Sequence, residues 1–190
     1  MSEYDGGHDS WDDGGHGTHT TDSPDVIVTQ YEDGSQLAVA DTNHDGYADL
    51  VAHDADGDGH PEVVYADTDG DHKLDTAVYD YNEDGKPDAV GIDRNHDGAI
   101  DEIGLDRNHD GAIDTIISDD NFDGKADHLV ADTNFDGRAD LAAVDNDEDG
   151  RPDAVVTDSN YDGTPDTVYY GDQDSNPLPT AGDVDPYAAR

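Results

Sequence analysis

A thirteen-residue unit begins at Asp41 and recurs, without insertion or deletion, at Asp54, Asp67, Asp80, Asp93, Asp106, Asp119, Asp132, Asp145 and Asp158, ending at Tyr170. The ten units read D-x-[N/D]-x-D-G-x-h-[D/E]-x-h-h-x, where h is apolar or small. A unit this short cannot bury a core alone. Neighbouring units must stack so that a continuous apolar stripe is buried, which commits residues 41–170 to a repeat architecture.

The charge balance is a second constraint. Fifty acidic side chains face eight basic ones, a formal charge of −42. Such chains ordinarily stay disordered, because repulsion adds to a conformational entropy cost that burial cannot offset. Here 32% of residues are hydrophobic and they recur in register, so we expect cations to neutralise the chain and the fold to depend on them. A surface this negative repels phosphates, which excludes nucleic acid as a partner. There is no cysteine, hence no disulfide or thiolate metal site. No apolar run approaches the ~20 residues of a membrane helix. The start, Met-Ser-Glu-Tyr-Asp-Gly-Gly-His, has neither the basic nor the apolar region of a secretory signal. The resulting expectation slightly favours an extracellular or cell-surface location reached by a leaderless route over a cytoplasmic one.

The first nine positions of each unit carry oxygen. Position 1 is Asp41, Asp54, Asp67, Asp80, Asp93, Asp106, Asp119, Asp132, Asp145 and Asp158. Position 3 is Asn43, Asp56, Asp69, Asn82, Asn95, Asn108, Asn121, Asn134, Asp147 and Asn160. Position 5 is Asp45, Asp58, Asp71, Asp84, Asp97, Asp110, Asp123, Asp136, Asp149 and Asp162. Position 9 is Asp49, Glu62, Asp75, Asp88, Asp101, Asp114, Asp127, Asp140, Asp153 and Asp166. Short oxygen ligands alternating on a tightly turning backbone suit a hard cation with flexible coordination; Ca²⁺ takes about 6–8 such oxygens, whereas Mg²⁺ demands a tight octahedron. Position 6 is Gly in nine units, which predicts a sharp turn at positive φ. His72 replaces it in the unit at Asp67, so that loop is expected to be the most strained. Position 7 holds Tyr47, His60, Lys73, Lys86, Ala99, Ala112, Lys125, Arg138, Arg151 and Thr164. Side chains this varied suggest a residue that offers its backbone carbonyl and points outward. Position 4 includes His44, His96, His109, Phe122, Phe135 and Tyr161. It reads as exposed and tolerant, with a histidine ladder the lesser alternative.

This oxygen pattern, with Gly at position 6, resembles the calcium loop of EF-hand proteins, although an apolar residue stands where that family has a bidentate Glu at position 12, and Asp at position 9 must then be a direct ligand. It also resembles thrombospondin type 3 repeats, which share the thirteen-residue length, and the D-x-N-x-D-G-x-x-D motif of VCBS and FG-GAP repeats. These resemblances imply about one Ca²⁺ per unit, up to ten.

The remaining positions are apolar. Position 11 is Val51, Val64, Ala77, Val90, Ile103, Ile116, Leu129, Ala142, Val155 and Val168, and position 12 is apolar or Gly. A β-prone run after each loop predicts one short strand per unit. The alternation of calcium turn and strand resembles the nonapeptide repeats of RTX proteins. That implies an all-β, calcium-stabilised parallel β-solenoid (β-roll) with two units per coil. Position-11 residues would then stack twenty-six apart: Val51, Ala77, Ile103, Leu129 and Val155 on one side, and Val64, Val90, Ile116, Ala142 and Val168 on the other. A thrombospondin-like wrap around a string of ions is the alternative architecture.

Outside the repeats, residues 1–25 read as a Gly/Asp/His-rich disordered arm. Its His8, His16 and His19 lack a rigid ligand spacing. Residues 26–40 read as a β cap, Val26–Tyr31 and Gln36–Ala40 around the turn Glu32-Asp33-Gly34-Ser35. Residues 171–190 read as a disordered tail, in which Leu178-Pro-Thr-Ala-Gly182 lacks the context of a cell-wall sorting signal. We find no nucleophile or acid–base constellation and expect no enzyme. Two functional classes remain: a rod-like scaffold, spacer or adhesion module with structural calcium, and a calcium buffer or sensor. Exposed Tyr65, Tyr79, Tyr169 and Tyr170 suggest a protein or surface partner, or self-association.

Overall fold

The computed structural model describes residues 25–171. The expected arm and tail, with His8, His16, His19 and Leu178–Gly182, therefore lie outside the described residues. Within them are twelve strands: β1 (Asp25–Gln30), β2 (Gln36–Asp41), β3 (Leu50–Asp54), β4 (Val63–Ala66), β5 (Thr76–Tyr79), β6 (Ala89–Ile92), β7 (Glu102–Leu105), β8 (Thr115–Ser118), β9 (His128–Ala131), β10 (Leu141–Val144), β11 (Ala154–Thr157) and β12 (Thr167–Tyr170). Each unit contributes one strand after its loop. The cap contributes the hairpin β1–β2, closed by a tight turn in which Gly34 donates to the Tyr31 carbonyl at 3.1 Å. No helix among the described residues is long and apolar enough to cross a membrane.

The strands form one open sheet in chain order, every neighbour antiparallel. This overturns the expected parallel solenoid, and the wrap without a sheet gives way with it. The cause is local. The amide of the position-9 acid donates to the carbonyl just before position 1, as in Asp49 to Ala40 (2.9 Å), Asp101 to Ile92 (2.8 Å) and Asp166 to Thr157 (2.9 Å). Nine residues thus reverse the chain completely and deliver the next strand beside the last one. A parallel coil would need the loop to carry the chain across to a second sheet.

Reversal also rewrites the stacking. Position 11 of one strand pairs with position 12 of the next, so a single row runs Ile27, Val39, Val51, Tyr65, Ala77, Gly91, Ile103, Ile117, Leu129, Ala143, Val155, Tyr169. A second row runs Val28, Ala38, Ala52, Val64, Val78, Val90, Gly104, Ile116, Val130, Ala142, Val156, Val168. Directly paired residues share a face, so the two rows line opposite faces. The predicted position-11 columns are therefore not contacts: a position-12 residue sits between Val51 and Ala77, and between each such pair.

Both faces are apolar, and the loops cover them in part, leaving Ile116 and Val130 among the exposed residues. Consecutive loops lie on opposite flanks of the sheet, with those at Asp41, Asp67, Asp93, Asp119 and Asp145 on one flank and the other five opposite. A Cβ on Gly91 would lie 3.2 Å from Ile100 Cδ1, and one on Gly104 would lie 3.1 Å from Ile113 Cγ2. Position 8 therefore folds back over position 12 of the preceding strand, from one flank onto one face and from the other flank onto the other. Ala126 does the same in the tightest cluster, with Ile117 and Ala143, against which Leu129 and Val155 pack. The core remains thin, since no large side chain among the described residues is fully buried.

Candidate metal-binding loops

Each loop is wound by its own carboxylates. In the loop at Asp93, Oδ1 of Asp93 accepts from the amide of His96 (2.7 Å) and Oδ2 from Gly98 (2.8 Å). Asn95 Oδ1 accepts from Asp97 (2.8 Å), and Asp97 Oδ1 from Ala99 (2.9 Å). Oδ2 of Asp101 accepts from the amides of Arg94 (2.7 Å) and Asn95 (3.1 Å). The side chains at positions 1, 3, 5 and 9 thus turn inward on the chain, as the sequence pattern requires. Position 2 adds a hydroxyl donor in some loops: Thr68 Oγ1 and Thr133 Oγ1 each donate to the position-9 Asp at 2.6 Å, and Thr42 and Ser159 make the same contact. Those hydroxyls went unnoticed in the sequence. The Thr42 hydroxyl and amide hold the Asp49 carboxyl below its usual range. At Asp75 burial opposes ionisation, but hydrogen bonds from Thr68 and Thr76 outweigh it and lower the pKa.

The backbone explains the glycine column and exposes a second one. Position 6 has positive φ in every loop, for example 93° at Gly98 and 95° at Gly111. His72 adopts φ 74° there, the non-glycine exception that its sequence position foretold. Position 4 is left-handed as well: His44 (62°), Glu83 (57°), Phe122 (65°), Glu148 (63°) and Tyr161 (59°), with Gly57 and Gly70 in two loops. The sequence reading took position 4 as merely tolerant. A usable signal was present, because none of the ten residues is β-branched, the class for which positive φ is most strained.

Position 4 reaches across to the previous loop on the same flank. The His96 ring lies 2.7 Å from Asp71 and 3.5 Å from Asp69. The His109 ring bonds Asp88 at 2.5 Å and lies 3.1 Å from Asn82 Nδ2. Tyr161 lines a small hollow with Asn134, Asp136, Arg138 and Asp140. His44 and His96 stand on one flank, separated by the loop with Gly70, and His109 is on the other, so no histidine ladder forms. Position 7 is exposed in nine of the ten loops, as expected, and its lysines reach the opposite way along the surface. Nζ of Lys73 bonds the His96 carbonyl (3.4 Å), Lys86 bonds those of His109 (3.4 Å) and Asp110 (2.9 Å), and Lys125 bonds that of Glu148. Backbone links join the same loops, as from Asp67 to Asp49 (2.9 Å) and from Asp106 to Asp88 (2.9 Å). The twenty-six-residue period expected of the strands thus belongs to the loops.

Ligand atoms converge within 4.8 Å in three sets internal to a loop: Asp54, Asp56 and Asp58; Asp67, Asp69 and Asp75; Asp145, Asp147 and Asp153. Two further sets span two loops: Asp69 and Asp71 with His96, and Asp56 and Glu62 with Glu83. Glu83 and His96 stand outside the ligand pattern read from the repeat. The charge of Asp58, burial, and the charges of Asp56 and Glu62 raise the Glu83 carboxyl above its usual value. Position-1 acids are mostly buried, with Asp106 and Asp158 only 3% and 6% exposed. One oxygen of each accepts a loop amide (Asp106 from Gly111 at 2.6 Å, Asp158 from Gly163 at 2.7 Å), while Oδ1 has no partner. A buried, ionisable oxygen without a donor is costly unless something cationic meets it. Within each loop the side-chain donors are carboxylate and amide oxygens, which fit a hard divalent cation; the set that spans two loops at Asp69 and Asp71 adds the His96 ring nitrogen. Compared with known protein families, curated proteins and solved structures, the chain matches none.

Proposed function

We propose that this is a calcium-binding repeat protein in which the ions are structural: an extended β module that folds on binding calcium and serves as a scaffold, spacer or adhesion element. The observation that carries this reading is the buried, partnerless Oδ1 of Asp106 and Asp158 inside loops whose other side-chain ligands are also oxygens. In each loop the ligands are the side chains at positions 1, 3, 5 and 9 and the carbonyl at position 7. At the loop beginning at Asp106 these are Asp106, Asn108, Asp110, Asp114 and the Ala112 carbonyl.

Two magnitudes support dependence of the fold on the ion. Ten divalent ions would take the formal charge from −42 to −22. Without them, each pair of like charges at contact range costs about 1–4 kcal/mol. Summed over a loop, that rivals the ~5–15 kcal/mol that stabilises a whole domain. With no large side chain fully buried, the apolar core has little in reserve, and ion binding becomes folding free energy. Calorimetric titration of the chelated chain with calcium, read with circular dichroism, tests the proposal. The expected result is gain of a β signature with a stoichiometry approaching ten. A full β signature in chelator, or a stoichiometry far below ten, overturns it.

A further inference from the structure

Among the described residues the sheet ends at β1 and β12, each paired on one side only. Neither carries a Lys, a Pro or a bulge to blunt it; the only such features are the four-residue length of β12 and Asp25 at the start of β1. Their apolar side chains are exposed, Ile27 by 69%, Val28 by 59%, Tyr169 by 62% and Tyr170 by 80%. A regular, apolar edge is a template for another strand.

The geometry selects the occupant. The sheet alternates strand direction at every step and has twelve strands, so β1 and β12 run oppositely. A second copy added by simple translation therefore meets β1 with an antiparallel β12, and the meander continues. The start of β1 and the end of β12 also lie on one flank, where Gly171 donates to the Asp153 carbonyl at 2.6 Å as a position-1 residue would. The first and last described residues of adjoining copies thus stand on the flank where a connecting loop would stand. The register closes as well. Placing Tyr169 opposite Ile27 sets Val168 against Val28, Tyr170 against Val26 and Thr167 against Thr29. This extends both apolar rows of the sheet without changing face, and the Thr–Thr and aromatic–β-branched pairs are among the favourable cross-strand combinations.

We propose that this chain associates head to tail with further copies of itself, β12 of one copy pairing with β1 of the next in that register. The contact is heterologous and does not close, so it builds an open row of copies. The inference rests on the sheet edges and not on the metal reading, although repulsion between two chains of this charge must be screened for the contact to form.

The test uses the full chain, which has no cysteine of its own. Ile27→Cys and Tyr169→Cys variants are made separately, mixed in equal amounts and oxidised, once with calcium and once in high salt without it. Directly opposed residues stand about 4.5–5.5 Å apart at Cβ, near enough to the ~3.5–4.5 Å of a disulfide for a small local shift to close the bond. The expected product is a crosslinked dimer containing one copy of each variant, with little dimer from either alone. Sedimentation of the unmodified chain should show mass rising with concentration, and Ile27→Lys and Tyr169→Lys should each suppress it. A mixture of these two Lys variants should stop at dimers, because each retains one open edge. Ile27–Ile27 crosslinks would show symmetric pairing and overturn the proposal. A monomer at all concentrations in both conditions would overturn it too, leaving residues 1–24 or 172–190 to cover the edges. Failure with calcium alongside success in high salt would count against the metal reading and not against this one.

Discussion

Replacing Asp106 by Asn separates an ion-dependent fold from an intrinsically stable one. The carboxylate is 3% exposed, its Oδ2 accepts from Gly111 at 2.6 Å and its Oδ1 has no partner. Asn keeps the accepting oxygen and the shape but removes the charge. In chelator, each contact-range repulsion relieved is worth about 1–4 kcal/mol, against about 1–3 kcal/mol for leaving the new amide group unsatisfied. With more than one acidic neighbour in the loop the balance favours the variant, by roughly 1–3 kcal/mol on these terms. At about 2–4 °C per kcal/mol for a chain of this size, the melting temperature should rise by ~2–12 °C. In saturating calcium the sign reverses, because the variant loses an ion that contributes about 4.1 kcal/mol when calcium is a thousandfold above the dissociation constant, more than the ~1–3 kcal/mol gained. Thermal melts followed by circular dichroism in both conditions provide the measurement. Asp120→Asn is the control: its carboxylate pairs with Arg94 at 2.9 Å outside the ligand set, so it should destabilise slightly in both. The same sign for Asp106→Asn in calcium and in chelator would refute the reasoning.

Backbone substitutions give a second group of expectations. Gly98→Ala meets no atom within 4 Å but keeps φ 93°, so it should cost only the left-handed penalty, about 1–2 kcal/mol. Gly57→Ala would place Cβ 2.2 Å from the Gly34 carbonyl oxygen at φ 78°, adding about 1–3 kcal/mol of overpacking; denaturant melts that rank the two equally would contradict this. The His96–Asp71 bond predicts a pH dependence best measured without calcium. That hydrogen bond foremost raises the His96 pKa and lowers that of Asp71. The histidine contribution is therefore complete below its ordinary value of about 6.5 and is lost as pH rises through the higher folded value. The aspartate contribution is present above about 3.9 and is lost as pH falls through its lower folded value. His96→Gln should flatten the alkaline arm of the stability profile, and a profile unchanged by it would rule the bond out as the source. Lys86→Met, which removes the reach to the His109 and Asp110 carbonyls, should cost under about 1 kcal/mol, as exposed polar contacts do.

The loop–strand division of the unit was legible because its two halves obey different chemistry. Alternating oxygens with glycine at position 6 turn the chain, and four β-prone residues extend it. The cap hairpin was legible for the same reason. Strand direction was misread although its evidence lay in position 12. A parallel coil needs one inward column, whereas Ala52, Val78, Val130 and Val156 show a second apolar column beside position 11, as an antiparallel sheet with two covered faces requires. The links between loops were half legible. Glu83 and Asp56, or His96 and Asp71, are twenty-five to twenty-seven residues apart, close to the twenty-six-residue period expected of the strands, but reversal at each loop gives that period to the loops instead. Position 4 was masked by its variety, since His, Glu, Phe and Tyr share no chemistry, only a conformation.

That shared conformation bears on why the loops need something at their centres. Nine non-glycine residues among the described ones have positive φ. At about 1–2 kcal/mol each by the general penalty for L-residues, the accumulated strain is comparable with the ~5–15 kcal/mol that holds a domain together. Amide-to-carboxylate bonds within each loop oppose that strain, but they also draw the acids at positions 1, 5 and 9 toward one another, so the device that winds the loop concentrates its negative charge. The proposed cation would resolve both at once, screening the acids and fixing the wound backbone. Because Glu83, His96 and His109, strained in their own loops, also reach the preceding loop on their flank, as His96 reaches Asp69 and Asp71, ordering one loop positions a contact for its neighbour. Two independent columns of coupled loops follow, one on each flank, with the thin sheet between them as their common support.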